Sequence, residues 1–343
     1  MTQIGSVRNE TRHAALGLTD EKVVRMYEIM VLARKFDERA QLLQRAGKVN
    51  FHISGVNQEP AQVAMAFAMD KEKDWFLPYY RDYAFVLSAG MTVKELMLSL
   101  FAKGEDPNSA GRQMPGHFGC KRLRIVTGSS PVTTQVPHAV GFALAAKMRG
   151  EPSVSLVSFG EGSSNQGDFH EGCNFAGVMK LPVIFVCQNN GYAISVPFSK
   201  QSAGRISDRA LGYGFPGYRV DGYDPFEVYR VFKEAHERAL AGEGPTLVEV
   251  MTYRVSPHST SDNDMAYRTK EEVDFHRGKD AIPAFRQYLE EHGLWSEERE
   301  KALLADIRKE IDEATEYGER APFQPVQDAF RYVYAEASAE EVR

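Results

Sequence analysis

Cysteine is scarce in this chain: Cys120, Cys173 and Cys187 are the only three in 343 residues. They are isolated and odd in number, with no C-x-x-C pair. Neither a disulfide framework nor a structural zinc site is expected, and three reduced thiols packed as small hydrophobes account for them. Long apolar runs are missing as well. No stretch approaches the ~20 residues that span a bilayer. The first twenty residues lack the apolar core of a secretory signal, so a cytoplasmic location is expected. Excess positive charge is also absent: 41 Lys+Arg against 47 Asp+Glu leave a net charge of −6. That is not the electrostatic footprint of a general nucleic-acid binder. Three common cofactor motifs fail too. G-x-G-x-x-G breaks at Asn165, no phosphate loop follows Gly47-Lys48 or Gly278-Lys279, and no H-E-x-x-H occurs. With 43% hydrophobic and 26% charged residues, and no fixed-period repeat, the chain has the composition of an ordinary folded protein.

What is present is a change of pattern near Thr134. Before it the chain reads as helices. Thr19-Asp20-Glu21 caps one whose apolar stripe runs through Val23, Val24, Tyr27, Met30, Val31, Leu42 and Leu43 to a stop at Gly47. Further helices are expected at 59–69, 79–87 and 93–101. Residues 104–128, rich in glycine and basic side chains and without a period, read as a long loop of the kind that is usually functional. After Thr134, helices at 139–148, 168–179 and 225–239 alternate with apolar runs at 154–159, 183–187 and 246–252, with 217–220 a further candidate strand. Continuous buried strands separated by helices predict an α/β fold, a parallel sheet with helices on both faces. A second polar loop covers 256–268, and charged helices follow, one capped by Ser296. The expected division is a flexible N-terminal tail over 1–18, an α/β domain with helical extensions over 19–320, and a C-terminal extension over 321–343.

In open α/β sheets, ligands bind beyond the carboxyl ends of the strands. Two of the apolar runs are followed by Gly160-Glu161-Gly162-Ser163 and by Gln188-Asn189-Asn190-Gly191-Tyr192. The separation, 189 − 160 = 29 residues, fits one helix and one strand, and a right-handed crossover would set both ends side by side. Glu161 and Asn190 would then offer two hard oxygens suited to Mg²⁺, which completes its octahedron with phosphate and water. The glycines let backbone amides approach a diphosphate, aided by the N-terminus of the following helix. The alternative on these residues alone is a strand-to-helix turn with a capping pair of asparagines.

G-[DE]-G with N-N about thirty residues later resembles the thiamin diphosphate motif. The stretch GEGSSNQGDFHEGCNFAGVMKLPVIFVCQNNGYAIS is similar to the alpha subunit of 2-oxo acid dehydrogenase decarboxylase components. So are RQMPGHFGC at 112–120, TGSSPVTTQ at 127–135 and YRVSPHSTSD at 253–262, and the resemblance runs from about Thr19 to the C-terminal helices. HSTSD and the GEG variant look more like the branched-chain (2-oxoisovalerate) type, with pyruvate or acetoin the alternative substrates. The resemblance implies the thiamin diphosphate-binding fold, and thiamin diphosphate with Mg²⁺ held by Glu161, Asn190 and the main-chain carbonyl of Tyr192. Gly160, Gly162 and Ser163 would face the diphosphate, Tyr80 and Arg81 would grip its terminal phosphate, and Ser130, Val132 and Ile194 would touch the cofactor rings. Ser129, Pro131, Thr134 and Gln135 match a K⁺-binding loop. His258 is the implied catalytic histidine beside the thiazolium, with His117 a second candidate. Tyr79 departs from the glutamine of some relatives. Ser259 matches a position phosphorylated in some others. The implied activity is oxidative decarboxylation of branched-chain 2-oxo acids with reductive acylation of a lipoyl group. The implied partners are a beta subunit, which supplies the activating glutamate in a two-alpha two-beta heterotetramer, and the lipoyl-bearing acyltransferase core.

Overall fold

The computed structural model describes residues 11–330. The strands are β1 (Trp75–Leu77), β2 (Ser155–Gly160), β3 (Val183–Asn189), β4 (Tyr192–Ala193), β5 (Val196–Pro197), β6 (Gly217–Asp221) and β7 (Thr246–Met251). The helices are α1 (Arg12–Ala15), α2 (Asp20–Arg45), α3 (Glu59–Phe67), α4 (Tyr83–Ala89), α5 (Val93–Leu100), α6 (Gln135–Arg149), α7 (Gly167–Met179), α8 (Pro225–Leu240), α9 (Lys270–Arg277), α10 (Ala281–Glu291) and α11 (Glu297–Arg320).

Five strands form one sheet in the order β1-β2-β3-β7-β6, and every pairing in it is parallel. β2 and β3 are buried at every position, as strands covered on both faces must be. Their side chains alternate between two cores. Leu156, Ile184, Val186, Val248 and Val250 pack with α2, α3, α4, α5 and α8. Val157, Phe159, Phe185, Cys187 and Leu247 pack with α6 and α7 on the other face. The register aligns Gly160 with Gln188 and Gln188 with Val250, so the loops leaving β2, β3 and β7 emerge side by side at one edge. Among the described residues, no helix is long and apolar enough to cross a membrane.

Several helix signals act as the sequence suggested. Thr19 accepts the Lys22 N–H at the start of α2, and Ser296 accepts that of Arg299 at the start of α11. Two expectations need correction, and one strand of the sheet was not expected at all. Part of the anticipated loose tail is docked: α1 buries His13, whose ring bonds the Tyr288 hydroxyl at 2.7 Å and the Asp20 carboxylate at 2.9 Å. Residues 1–10, and 331–343 of the C-terminal extension, lie outside the described residues. The helix expected from residue 79 starts only at Tyr83. Residues 79–82 form a turn closed by the Asp82 N–H on Tyr79 O at 2.9 Å, and Asp82, at ψ +41°, leaves the helical region just before Tyr83. Finally, β1 precedes that turn as a short edge strand of three residues that no periodicity announced.

Candidate active site

At the carboxyl edge of the sheet lies a cavity of about 400 Å³. Of the residues singled out from sequence, Tyr79, Tyr80, His117, Ser129, Ser130, Val132, Gly160, Glu161, Gly162, Ser163, Tyr192, Ile194 and His258 line it. Arg81 and Asn190 stand behind its wall, each 1% exposed. Phe51, Ile53 and Met114 complete an apolar side that carried no sequence signal.

The strand-end turns meet as their spacing suggested. The Asn190 N–H donates to Glu161 Oε2 at 3.2 Å. Glu161 Oε1 and Asn190 Oδ1 are buried and have no hydrogen-bond partner. A buried acceptor left unmatched costs about 1–3 kcal/mol, more if charged. Burial accordingly pushes the Glu161 carboxyl above its usual range, against the Asn190 amide and the Arg254 charge that pull it down. Two buried hard oxygens without a hydrogen-bond partner on adjacent strand ends suit a divalent cation. The described residues hold no cluster of three or more His, Cys, Asp or Glu that could hold a metal, so a cation here depends on amide and main-chain oxygens beside one carboxylate. The third expected ligand, the Tyr192 carbonyl, accepts Arg254 Nη1 at 3.3 Å.

Close approach excludes a side chain at Gly162 and leaves little room for one at Gly160. A Cβ on Gly160 would stand 3.0 Å from the Tyr79 hydroxyl, and one on Gly162 would stand 2.6 Å from Ala193 Cβ. The turn itself is a 3₁₀ segment, Glu161–Asn165, and the α-helix starts only at Gly167. The helix thus starts within one residue of the expected position, with the 3₁₀ turn between it and the glycines.

The Tyr79–Asp82 turn is fastened from below. Asp82 accepts from the Tyr79 amide, the Ser158 hydroxyl of β2 and the Gln188 side chain of β3. Above it, the Tyr79 hydroxyl donates to that of Tyr80 at 2.9 Å. Arg81 spends its donors on protein acceptors: Nε on the Tyr79 hydroxyl at 3.3 Å, Nη1 on Ser54 O at 2.7 Å, and Nη2 on His258 Nδ1 at 3.1 Å and His258 O at 2.9 Å. The open guanidinium fork that a bidentate phosphate contact calls for is instead committed to the fold.

The four residues matched to a K⁺ loop converge. Ser129 Oγ and Thr134 Oγ1 each donate to Pro131 O at 3.1 Å, and Gln135 Nε2 donates to Ser129 O at 3.3 Å. Thr133, at φ +77°, ties this loop to the glycine turn through Ser163 O at 3.0 Å. Val132 and Ile194 stay 42% and 56% exposed on the cavity rim. Ile194 holds φ +54°, a left-handed conformation that a β-branched residue rarely adopts and that clusters at ligand sites.

Both candidate histidines reach the cavity. His117 Nδ1 lies 2.8 Å from Met114 O, so it carries the proton, and Nε2 accepts from Ser130 Oγ at 2.7 Å. His258 is shifted well out of the ordinary imidazole range. Burial, then the charges of Arg81 and Arg254, lower its pKa to about 4, and Asp262 offsets this only in part. At neutral pH it is an uncharged imidazole. Its loop is pinned: the His258 N–H bonds Asp262 Oδ2 at 2.8 Å, and Arg268 bonds Ser256 O at 2.8 Å and Asp264 at 2.6 Å.

With this geometry in hand, similarity to known proteins can be placed. The model of the family described as "Dehydrogenase E1 component" matches residues 27–327. Over 325 residues the chain is 59% identical to the 2-oxoisovalerate dehydrogenase subunit alpha of Bacillus subtilis (strain 168), covering 94% of this chain and 98% of the relative. It is 41% identical over 325 residues to the mitochondrial 2-oxoisovalerate dehydrogenase subunit alpha of Homo sapiens, covering 94% and 73%. It is 40% identical over 336 residues to the pyruvate dehydrogenase E1 component subunit alpha of Bacillus subtilis (strain 168), covering 97% and 87%.

Proposed function

Because this chain belongs to the dehydrogenase E1 component family, we propose that it is the alpha subunit of a branched-chain 2-oxo acid dehydrogenase. In this role it works with a beta subunit to decarboxylate branched-chain 2-oxo acids oxidatively and to pass the acyl group to the lipoyl arm of an acyltransferase. The observation that carries the proposal is the pair of buried, unpartnered oxygens of Glu161 and Asn190 over a glycine turn at the carboxyl ends of β2 and β3.

Those oxygens, with the second lone pair of the Tyr192 carbonyl, would hold Mg²⁺. Gly160, Gly162, Ser163 and Tyr80 would hold the diphosphate of thiamin diphosphate, and Ser130, Val132 and Ile194 its rings, with Arg81 acting behind them through Tyr79 and His258. Ser129, Pro131, Thr134 and Gln135 would take K⁺. The bound cofactor supplies the electron sink for decarboxylation. The protein's part is to neutralise and position the diphosphate and to keep water from the reacting carbon. It also offers hydrogen bonds to the oxo acid from His258, with His117 orienting the Ser130 hydroxyl. The apolar side formed by Phe51, Ile53 and Met114 favours a branched acyl chain over the methyl of pyruvate. Since the glutamate that activates the cofactor is expected from the beta subunit, the alpha chain alone is inactive.

The test is to co-express the chain with a beta subunit and assay several 2-oxo acids with thiamin diphosphate and Mg²⁺. Turnover should favour branched-chain acids and vanish without the partner. Decarboxylation by the isolated chain would overturn the shared site, and the absence of turnover on every 2-oxo acid would overturn the function.

A further inference from the structure

The cavity histidine is bonded to an arginine and not to a carboxylate. Arg81 Nη2 touches His258 twice, at Nδ1 (3.1 Å) and at the main-chain oxygen (2.9 Å), fixing the ring and the backbone of one residue together. The guanidinium is itself held by Ser54 O and the Tyr79 hydroxyl, at 2.7 and 3.3 Å. We propose that Arg81 is the positioning residue of His258, fixing its imidazole as the neutral Nε2–H tautomer so that it presents one N–H donor to an anionic oxygen of the substrate in the cavity.

The polarity follows from donor chemistry. An arginine has no acceptor and keeps its proton in proteins. A nitrogen facing its N–H must therefore be the unprotonated one, and the ring proton goes to Nε2. Among the described residues, no protein group bonds Nε2, and His258 lines the cavity. The familiar base–carboxylate arrangement is reversed here. A carboxylate on Nδ1–H would make Nε2 a proton acceptor, but the neighbouring Asp262 takes the main-chain N–H of His258 at 2.8 Å. The Tyr80 ring stands edge-on at 6.4 Å. The charges of Arg81 and Arg254 also disfavour an imidazolium. His258 is thus a neutral hydrogen-bond donor, not a base. Its role toward a 2-oxo acid rests on the functional reading above, but the tautomer does not.

The test uses the full chain labelled with ¹⁵N in histidine and arginine, at pH 7, without cofactor or substrate. His258 signals are assigned by their loss in His258→Gln. The expected wild-type spectrum has protonated Nε2, unprotonated Nδ1 and a scalar coupling from Arg81 Nη2 across the hydrogen bond to Nδ1. In Arg81→Met the coupling should vanish and the two ring nitrogens should move toward a mixture of tautomers. A proton on Nδ1 in the wild type, or ring shifts unchanged in Arg81→Met, would overturn the proposal. Should Arg81→Met fail to fold, the wild-type coupling decides alone: its presence supports the proposal and its absence overturns it. Failure of 2-oxo acid turnover with this spectrum intact would count against the function and not against the Arg81–His258 arrangement.

Discussion

Asp82 is fully buried beneath the Tyr79–Arg81 turn, and its titration offers a measure of what that turn costs the fold. Its carboxylate accepts three hydrogen bonds, from Tyr79 N–H, Ser158 Oγ and Gln188 Nε2. Burial outweighs them and raises the pKa from 3.8 to about 6. The difference, 6 − 3.8 = 2.2 units, corresponds to ~3 kcal/mol at 1.36 kcal/mol per unit. The sign follows from proton counting. Between pH 3.8 and 6 the folded state binds the proton and the unfolded state has released it. The contribution of Asp82 to stability is therefore fully present below pH 3.8 and is lost as pH rises through 6. Asp82→Asn removes the titration but cannot reproduce the bonds. Gln188 cannot turn over to meet an amide, because its Oε1 accepts Gln62 Nε2 at 3.2 Å, and Gln62 Oε1 in turn accepts Ala84 N–H at 3.2 Å. One buried donor loses its acceptor, at about 1–3 kcal/mol. That loss roughly cancels the relief of the buried charge at neutral pH, so the variant's stability at pH 7 is uninformative and its pH profile decides. Urea denaturation of wild type and Asp82→Asn from pH 4 to pH 7 should show the wild type losing ~2.4 kcal/mol relative to the variant, most of the full span. Parallel profiles would refute the raised pKa, and a wild type that gains on the variant as pH rises would mean that the three hydrogen bonds outweigh burial.

Glu161→Gln and Asn190→Ala should each abolish Mg²⁺-dependent binding of thiamin diphosphate while leaving the chain folded; calorimetry showing wild-type affinity in either would refute the metal assignment. Gly217→Ala should destabilise the chain by about 1–3 kcal/mol, since its Cβ would fall 1.9 Å from Ser207 O; an unchanged denaturation midpoint would contradict the close approach of β6 to that turn. For His258, the glutamine variant keeps an N–H donor near the position of Nε2, so His258→Gln should retain more lipoyl acylation than His258→Ala. Decarboxylation with an artificial electron acceptor should survive better than acyl transfer, which should fall ~10²–10³-fold in the alanine variant, the loss that follows removal of one positioned hydrogen-bond donor. Equal losses in both assays with a raised KM would make His258 a substrate-binding group only.

The sheet was legible where burial on both faces wrote continuous apolar runs into the chain, as in Val183–Asn189, and the long helices where a cap and a stop bracketed a stripe, as in Asp20–Arg45. Trp75–Leu77 was not, because three residues at a sheet edge are too few to show a period. The false helix start at residue 79 has a tertiary cause. Asp82, at ψ +41°, leaves the helical region, its buried carboxylate held by Ser158 and Gln188 of two strands, and nothing local marks partners 76 and 106 positions away.

The candidate site divides along the same line. Glu161 and Asn190 could be paired from spacing because one crossover sets both at the ends of adjacent strands, and each follows its strand directly. The apolar side could not, since Phe51, Ile53 and Met114 come from two loops with no shared period. His258 shows the limit most clearly. Its loop motif assigns it to the cleft, but its protonation depends on Arg81, 177 positions away, which a resemblance had reserved for phosphate. Residue identity left two roles open, holding the substrate carboxylate or donating a proton. Burial and the charges of Arg81 and Arg254 lower its pKa to about 4, and the hydrogen bond from guanidinium to Nδ1 leaves Nε2 as the donor. A motif can place a histidine at a reacting centre, but its chemistry there is set by whichever group the fold brings to its other nitrogen.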